Sequence, residues 1–67
     1  MALRERKARV GAITEVGMAA PVAYKIDALK LSGVLGTVAG EDTVLVVVSE
    51  GHDARKVRSN LWKGVQA

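Results

Sequence analysis

The sequence predicts an α+β domain, an antiparallel sheet with two helices packed on one of its faces. Three observations carry this reading. Two segments bear apolar stripes with the helical period of about 3.6 residues, and the segments around them read as strands rich in β-branched residues. The order is β-α-β-β-α, with a further short N-terminal edge strand as an option. The two consecutive strands are joined by Gly40-Glu41-Asp42, a link short enough for a tight hairpin, so they run antiparallel.

The first residues, Leu3 to Lys7, are mostly charged and read either as a frayed end or as the tail of a strand. From Ala8 to Glu15 the chain alternates loosely, with Ala8, Val10 and Ala12 on one face and Arg9, Gly11 and Ile13 on the other, which predicts a strand. Gly17 breaks it. Met18 to Leu29 then reads as a helix whose apolar stripe is Ala19, Val22, Ala23, Ile26 and Leu29. Pro21 fits only in a first turn, where its missing N–H is not needed, so the helix starts near Met18 or Ala19. Ala20, Tyr24, Asp27 and Leu31 form a second stripe turned away from the first, and Ser32 and Gly33 end the helical region.

Val34 to Ala39 and Thr43 to Val48 are the hairpin strands. The second, Thr-Val-Leu-Val-Val-Val, is apolar at nearly every position, whereas a strand with one wet face should alternate. Both of its faces are therefore expected to be covered, one by the chain's own helices and the other by a neighbouring subunit; a core strand with a few exposed valines is the alternative. Ser49 to His52 make a turn, and Asp53 is a suitable N-cap. Ala54 to Lys63 form the second helix, with Ala54, Val57 and Leu61 inside and Gly64 as its stop.

At 67 residues the chain is one domain, and a domain of that size is marginal unless something reinforces it. With no cysteine, disulfides are excluded, and with a single histidine a structural zinc site is not expected. Self-association is the remaining option. Aromatic residues are only 3% of the chain, so the core must be built from aliphatics. No apolar run is long enough to span a membrane and the N-terminus is no secretory signal. A net charge of +3 raises the possibility of a nucleic-acid partner. Against it, the basic residues divide between the N-terminus (Arg4, Arg6, Lys7, Arg9) and the last helix (Arg55, Lys56, Arg58, Lys63), with no aromatic interleaved to stack on bases.

Enzymatic candidates are few, and the chain is not expected to be an enzyme. His52 beside Asp53 is half of a triad with no nucleophile in sequence, and reads as a solvated turn. Gly33, Gly36 and Gly40 match neither the Rossmann nor the Walker spacing. The acids say more. Asp27 lies on the outward stripe, and Glu41 and Asp42 are adjacent in the hairpin turn. Such a cluster suits a guanidinium, whose fork of donors matches a carboxylate, although turn propensity alone also accounts for the pair.

The run Gly33-Val-Leu-Gly-Thr-Val-Ala-Gly-Glu-Asp-Thr-Val-Leu-Val-Val47 resembles the signature of the C-terminal domain of bacterial arginine repressors, where Gly-Thr-Ile/Val-Ala-Gly-Asp-Asp-Thr precedes an apolar strand. Upstream, Gly17-Met-Ala-Ala-Pro-Val-Ala-Tyr-Lys-Ile-Asp27 resembles that family's Gly-x-Ala-Gln-x-(Val/Ile)-Ala-x-x-(Leu/Ile)-Asp helix, and the resemblance runs from about Ala8 to Leu61. It implies that residues 1–67 are an oligomerisation and ligand-sensing domain, a homotrimer stacking to a homohexamer in the cytoplasm. L-arginine would bind between the trimers as corepressor, with no metal. DNA would be bound by a separate N-terminal winged helix-turn-helix domain that this stretch does not include. The implied ligand residues are Ala20, Asp27, Thr37, Ala39, Glu41 and Asp42. Two depart from the family pattern: Ala20 stands where glutamine is common, and Glu41 where aspartate is usual. A purely structural assembly module that does not bind arginine is the alternative.

Overall fold

The computed structural model describes residues 1–6 and 8–66. It contains β1 (Ala2–Arg6), β2 (Arg9–Ile13), α1 (Ala19–Leu29), β3 (Val34–Ala39), β4 (Thr43–Val48) and α2 (Ala54–Gln66). The four strands make one antiparallel sheet in the order β1-β2-β4-β3, and both helices pack on the same face. The optional edge strand is thus present. The predicted Leu3 to Lys7 segment belongs to β1 as far as Arg6, and Lys7 lies outside the described residues.

The core follows from the pleat. Side chains alternate across a strand, so Val10 and Ala12 of β2 and Val44, Val46 and Val48 of β4 point to the helix side and are buried. They meet Ala19, Ala23 and Ile26 of α1 and Ala54, Val57 and Leu61 of α2. Each buried valine, leucine or isoleucine contributes about 1.5–3 kcal/mol. No ring enters this core: Tyr24 is exposed and Trp62 half-exposed. Alanines at 12, 19, 23 and 54 let the helices lie close to the sheet.

The outer face is built differently. Gly11, Leu45 and Val38 stand in one row across β2, β4 and β3, while Val10, Val46 and Thr37 stand in the row behind, on the helix side. Leu45 and Val38 are exposed, as are Ile13 and Leu35, the latter at a register shift in β3. The chain's own helices cover one face of β4, as expected. The other face is open in the single chain.

Three local expectations need correction. Gly64 does not stop α2, which runs on to Gln66. A Cβ at Gly64 would sit 2.6 Å from Leu29 Cδ1, so the missing side chain is what lets α1 and α2 touch there. Helix α1 is ended by Lys30, not by Ser32 and Gly33: Lys30 takes a left-handed conformation (φ 49°) and its N–H donates to the Asp27 carbonyl at 3.2 Å. Gly33 has its own reason, since its φ is 89° and a Cβ would lie 2.7 Å from the His52 ring. Leu31 is not turned away but packs against the core. The Asp53 cap is as expected, with its Oδ1 accepting the Arg55 N–H at 2.9 Å.

Candidate functional site

The six candidate residues come from three elements. Ala20 and Asp27 are two turns apart on the exposed side of α1, Thr37 and Ala39 are on β3, and Glu41 and Asp42 are in the β3–β4 link. Helix α1 packs over β3 and β4. This brings the end of α1 to the middle of β3, where the Thr37 hydroxyl donates to the Asp27 carboxylate, 3.1 Å from each oxygen. One hydroxyl proton is shared between the two oxygens, so Asp27 is oriented while most of its acceptor capacity stays open. A cleft of about 310 Å³ opens beside it, bordered by Asp27, Lys30, Leu31, Val34 and Leu35.

The hairpin turn is fastened by its main chain. The Glu41 carbonyl accepts the N–H groups of Gly17 (2.9 Å) and Ala19 (3.4 Å), and the Asp42 carbonyl accepts the Thr14 N–H (2.7 Å) and hydroxyl (3.3 Å). The turn is thereby held against the start of α1, and its side chains are left for solvent or a ligand. The Asp42 carboxylate accepts the Thr43 hydroxyl at 3.0 Å. Among the described residues neither Glu41 nor Asp42 is in an ion pair. Thr14 was not singled out from the sequence, and a threonine at a strand end carries no signal of such a role.

The structure therefore brings Asp27 and Thr37 into contact, and holds Glu41 and Asp42 at the start of α1. It does not gather all six residues into one cavity. Ala20 and Ala39 are exposed and present only methyl groups and backbone. The arrangement supplies acceptors and negative charge on an open surface. Such a surface can accept hydrogen bonds from a cation with several N–H donors.

The remaining candidates are structural. The His52 ring packs on Gly33, and Asp53 caps α2. Among the described residues no group of His, Cys, Asp or Glu is placed to hold a metal ion, and no helix is long and apolar enough to cross a membrane.

Comparison with known proteins agrees with the sequence motifs. The family model described as arginine repressor, C-terminal domain, matches residues 10–63. The chain is similar to an arginine repressor of Bacteroides thetaiotaomicron, 46% identical over 48 residues, which are 72% of this chain and 31% of the relative. An arginine repressor of Chlorobium phaeobacteroides is 54% identical over 41 residues, 61% of this chain and 28% of the relative. One of Koribacter versatilis is 44% identical over 48 residues, 72% and 32% respectively. The matched stretch thus spans roughly 30% of these curated relatives' length.

Proposed function

The chain belongs to the arginine repressor C-terminal domain family, and on that premise we propose that it is the oligomerisation and L-arginine-sensing domain of a transcriptional repressor of arginine metabolism. The observation that carries this is the fastened hairpin turn, which holds on an exposed edge the Glu41 and Asp42 carboxylates, in no ion pair among the described residues.

Chains assemble through the open apolar sheet face into trimers, and trimers stack into hexamers. Facing copies bring their hairpin carboxylates together, and their mutual repulsion opposes stacking. The guanidinium of L-arginine enters between them, donates to Glu41 and Asp42 in bidentate fashion and neutralises them. The ligand's α-ammonium goes to Asp27, oriented by Thr37. Its α-carboxylate lies along the start of α1 and β3, where Ala20 and Ala39 leave the backbone accessible. A ligand that binds the hexamer alone stabilises it by RT ln(1 + [L]/Kd), about 2.7 kcal/mol at a hundred times Kd. Operator DNA is bound by a separate winged helix-turn-helix domain, and the complete repressor works in the cytoplasm.

Calorimetric titration with L-arginine, read beside sedimentation with and without it, is the test. Heat of binding together with a shift toward hexamer is the expected result. The rival reading is a structural assembly module without ligand, favoured by the bare methyl of Ala20 and the longer side chain of Glu41. It predicts oligomers indifferent to arginine.

A further inference from the structure

We infer that Tyr24 is a specificity-determining residue of the L-arginine site, its ring stacking on the flat face of the ligand's guanidinium. This role presupposes arginine sensing and adds to it a means of telling a guanidinium from an ammonium. Tyr24 keeps 78% of its surface exposed, although most of a tyrosine side chain is apolar. It has no part in the core cluster, and among the described residues its hydroxyl enters no hydrogen bond with a side chain or the main chain. Its place on α1 is between the two acidic poles of the site. Residues three and four apart are neighbours on a helix surface, so Tyr24 stands beside Ala20, Pro21, Asp27 and Ala28. None of these is a cation, and Ala20 and Ala28 offer only methyl groups, which leaves the ring's face open. Ala20 and Asp27 are about 10 Å apart along the helix axis, with Tyr24 between them. Long helical side chains lean toward the N-terminus, over the preceding turn. The ring therefore extends over Ala20, toward the hairpin turn whose Glu41 carbonyl accepts the N–H groups of Gly17 and Ala19.

A guanidinium has two kinds of surface. Its edge carries the N–H donors, which a carboxylate takes in pairs, and its face is weakly hydrated and stacks on aromatic rings. Glu41 and Asp42 serve only the edge. Carboxylates alone also accept an ammonium, since they respond to charge and to N–H donors of any arrangement. The ring supplies the missing criterion, because an ammonium is compact, strongly hydrated and without a flat face to stack. Charge is then read by the acids and planarity by Tyr24. The chain's other ring, Trp62, is on α2 and does not share this stripe.

The test is calorimetric titration of the full chain, and of Tyr24→Phe and Tyr24→Leu, with L-arginine, with L-lysine measured by competition. Tyr24→Phe keeps the ring and is expected to hold L-arginine within about twofold of the unsubstituted chain. Tyr24→Leu keeps apolar bulk without a ring. It is expected to weaken L-arginine by about threefold or more, the size of a cation–π contact at an exposed site, and L-lysine by less, so that the preference for arginine narrows. In proton NMR the ligand's δ-methylene signal should move upfield on binding to the unsubstituted chain and to Tyr24→Phe, and not to Tyr24→Leu, because a ring current needs a ring. Equal arginine affinity in the unsubstituted chain and Tyr24→Leu would overturn the role of Tyr24 and leave arginine sensing standing. So would a loss in Tyr24→Phe as large as in Tyr24→Leu, or an unchanged preference over lysine. A change in the ligand-free sedimentation of Tyr24→Leu would overturn it too, by making Tyr24 an assembly residue. No heat with the unsubstituted chain would overturn both arginine sensing and this role.

Discussion

The two faces of strand β4 are both apolar and not equally covered. Strand β4 contributes Val44, Val46 and Val48 to one face and Leu45 and Val47 to the other. The first set is sealed by the helices, with Val44 and Val46 wholly buried, while Leu45 keeps 37% of its surface exposed in the single chain. The same residue types thus serve two ends on alternate positions of one strand. One face makes the fold, and the other is spare once the fold is made. Composition does not distinguish them; only the side of the pleat does.

The largest test of this difference is Val46→Asp. It puts an unpaired carboxylate at a site with no exposure, a cost of several kcal/mol against a total stability of about 5–15. Loss of the cooperative thermal transition by circular dichroism is expected. One residue along, Val47→Asp faces outward opposite Arg9, a cross-strand pair worth about 0.2–1 kcal/mol. The monomer should keep its transition, and sedimentation should show the assembly dissociated. If both variants unfold, the outer face is also needed for the fold and the contrast fails.

Smaller effects lie at the hairpin turn. Asp42→Asn keeps size and turn propensity but removes charge. A hydrogen bond to a charged partner is worth about 1.5–3 kcal/mol, so L-arginine affinity should fall roughly tenfold or more in calorimetry, with the melting transition unchanged. Thr37→Val removes the hydroxyl that orients Asp27, and should weaken arginine by a few-fold, about 1 kcal/mol. Glu41→Asp has the smallest effect, and its sign carries the information. A fall in affinity means that the longer acid is adapted to its ligand. A rise means that the site has drifted toward pure assembly. Citrulline, which has arginine's shape without its charge, should bind much more weakly throughout.

How far these regions could be read from the sequence varies with how local their causes are. Strands β3 and β4 appear with the expected bounds, Val34–Ala39 and Thr43–Val48, because the hairpin signal and the β-branched runs are local. Pro21 placed the start of α1 for the same reason. Gly64 was misread because a glycine near a helix end looks like a stop, and its true partner, Leu29, is on the other helix. Lys30 was missed because lysine is not an expected left-handed cap. Of the six candidate residues, the joining of Asp27 to Thr37 is a tertiary contact that no spacing announces. The fastening of the turn by Thr14 is another. The surface that would complete the site in the proposed assembly is not described by one chain's pattern.

The strand order β1-β2-β4-β3 also bears on time. The β1–β2 and β3–β4 pairings are between neighbours in sequence, whereas β2 meets β4 only across the whole of α1 and β3. Local pairings form early, and the long closure sets the pace of folding. The row Gly11, Leu45, Val38 is complete only after that last closure. Under the proposed assembly, a chain has no finished surface to offer another copy until its own interior is shut, which would place self-recognition after folding and limit the window in which half-made sheets meet.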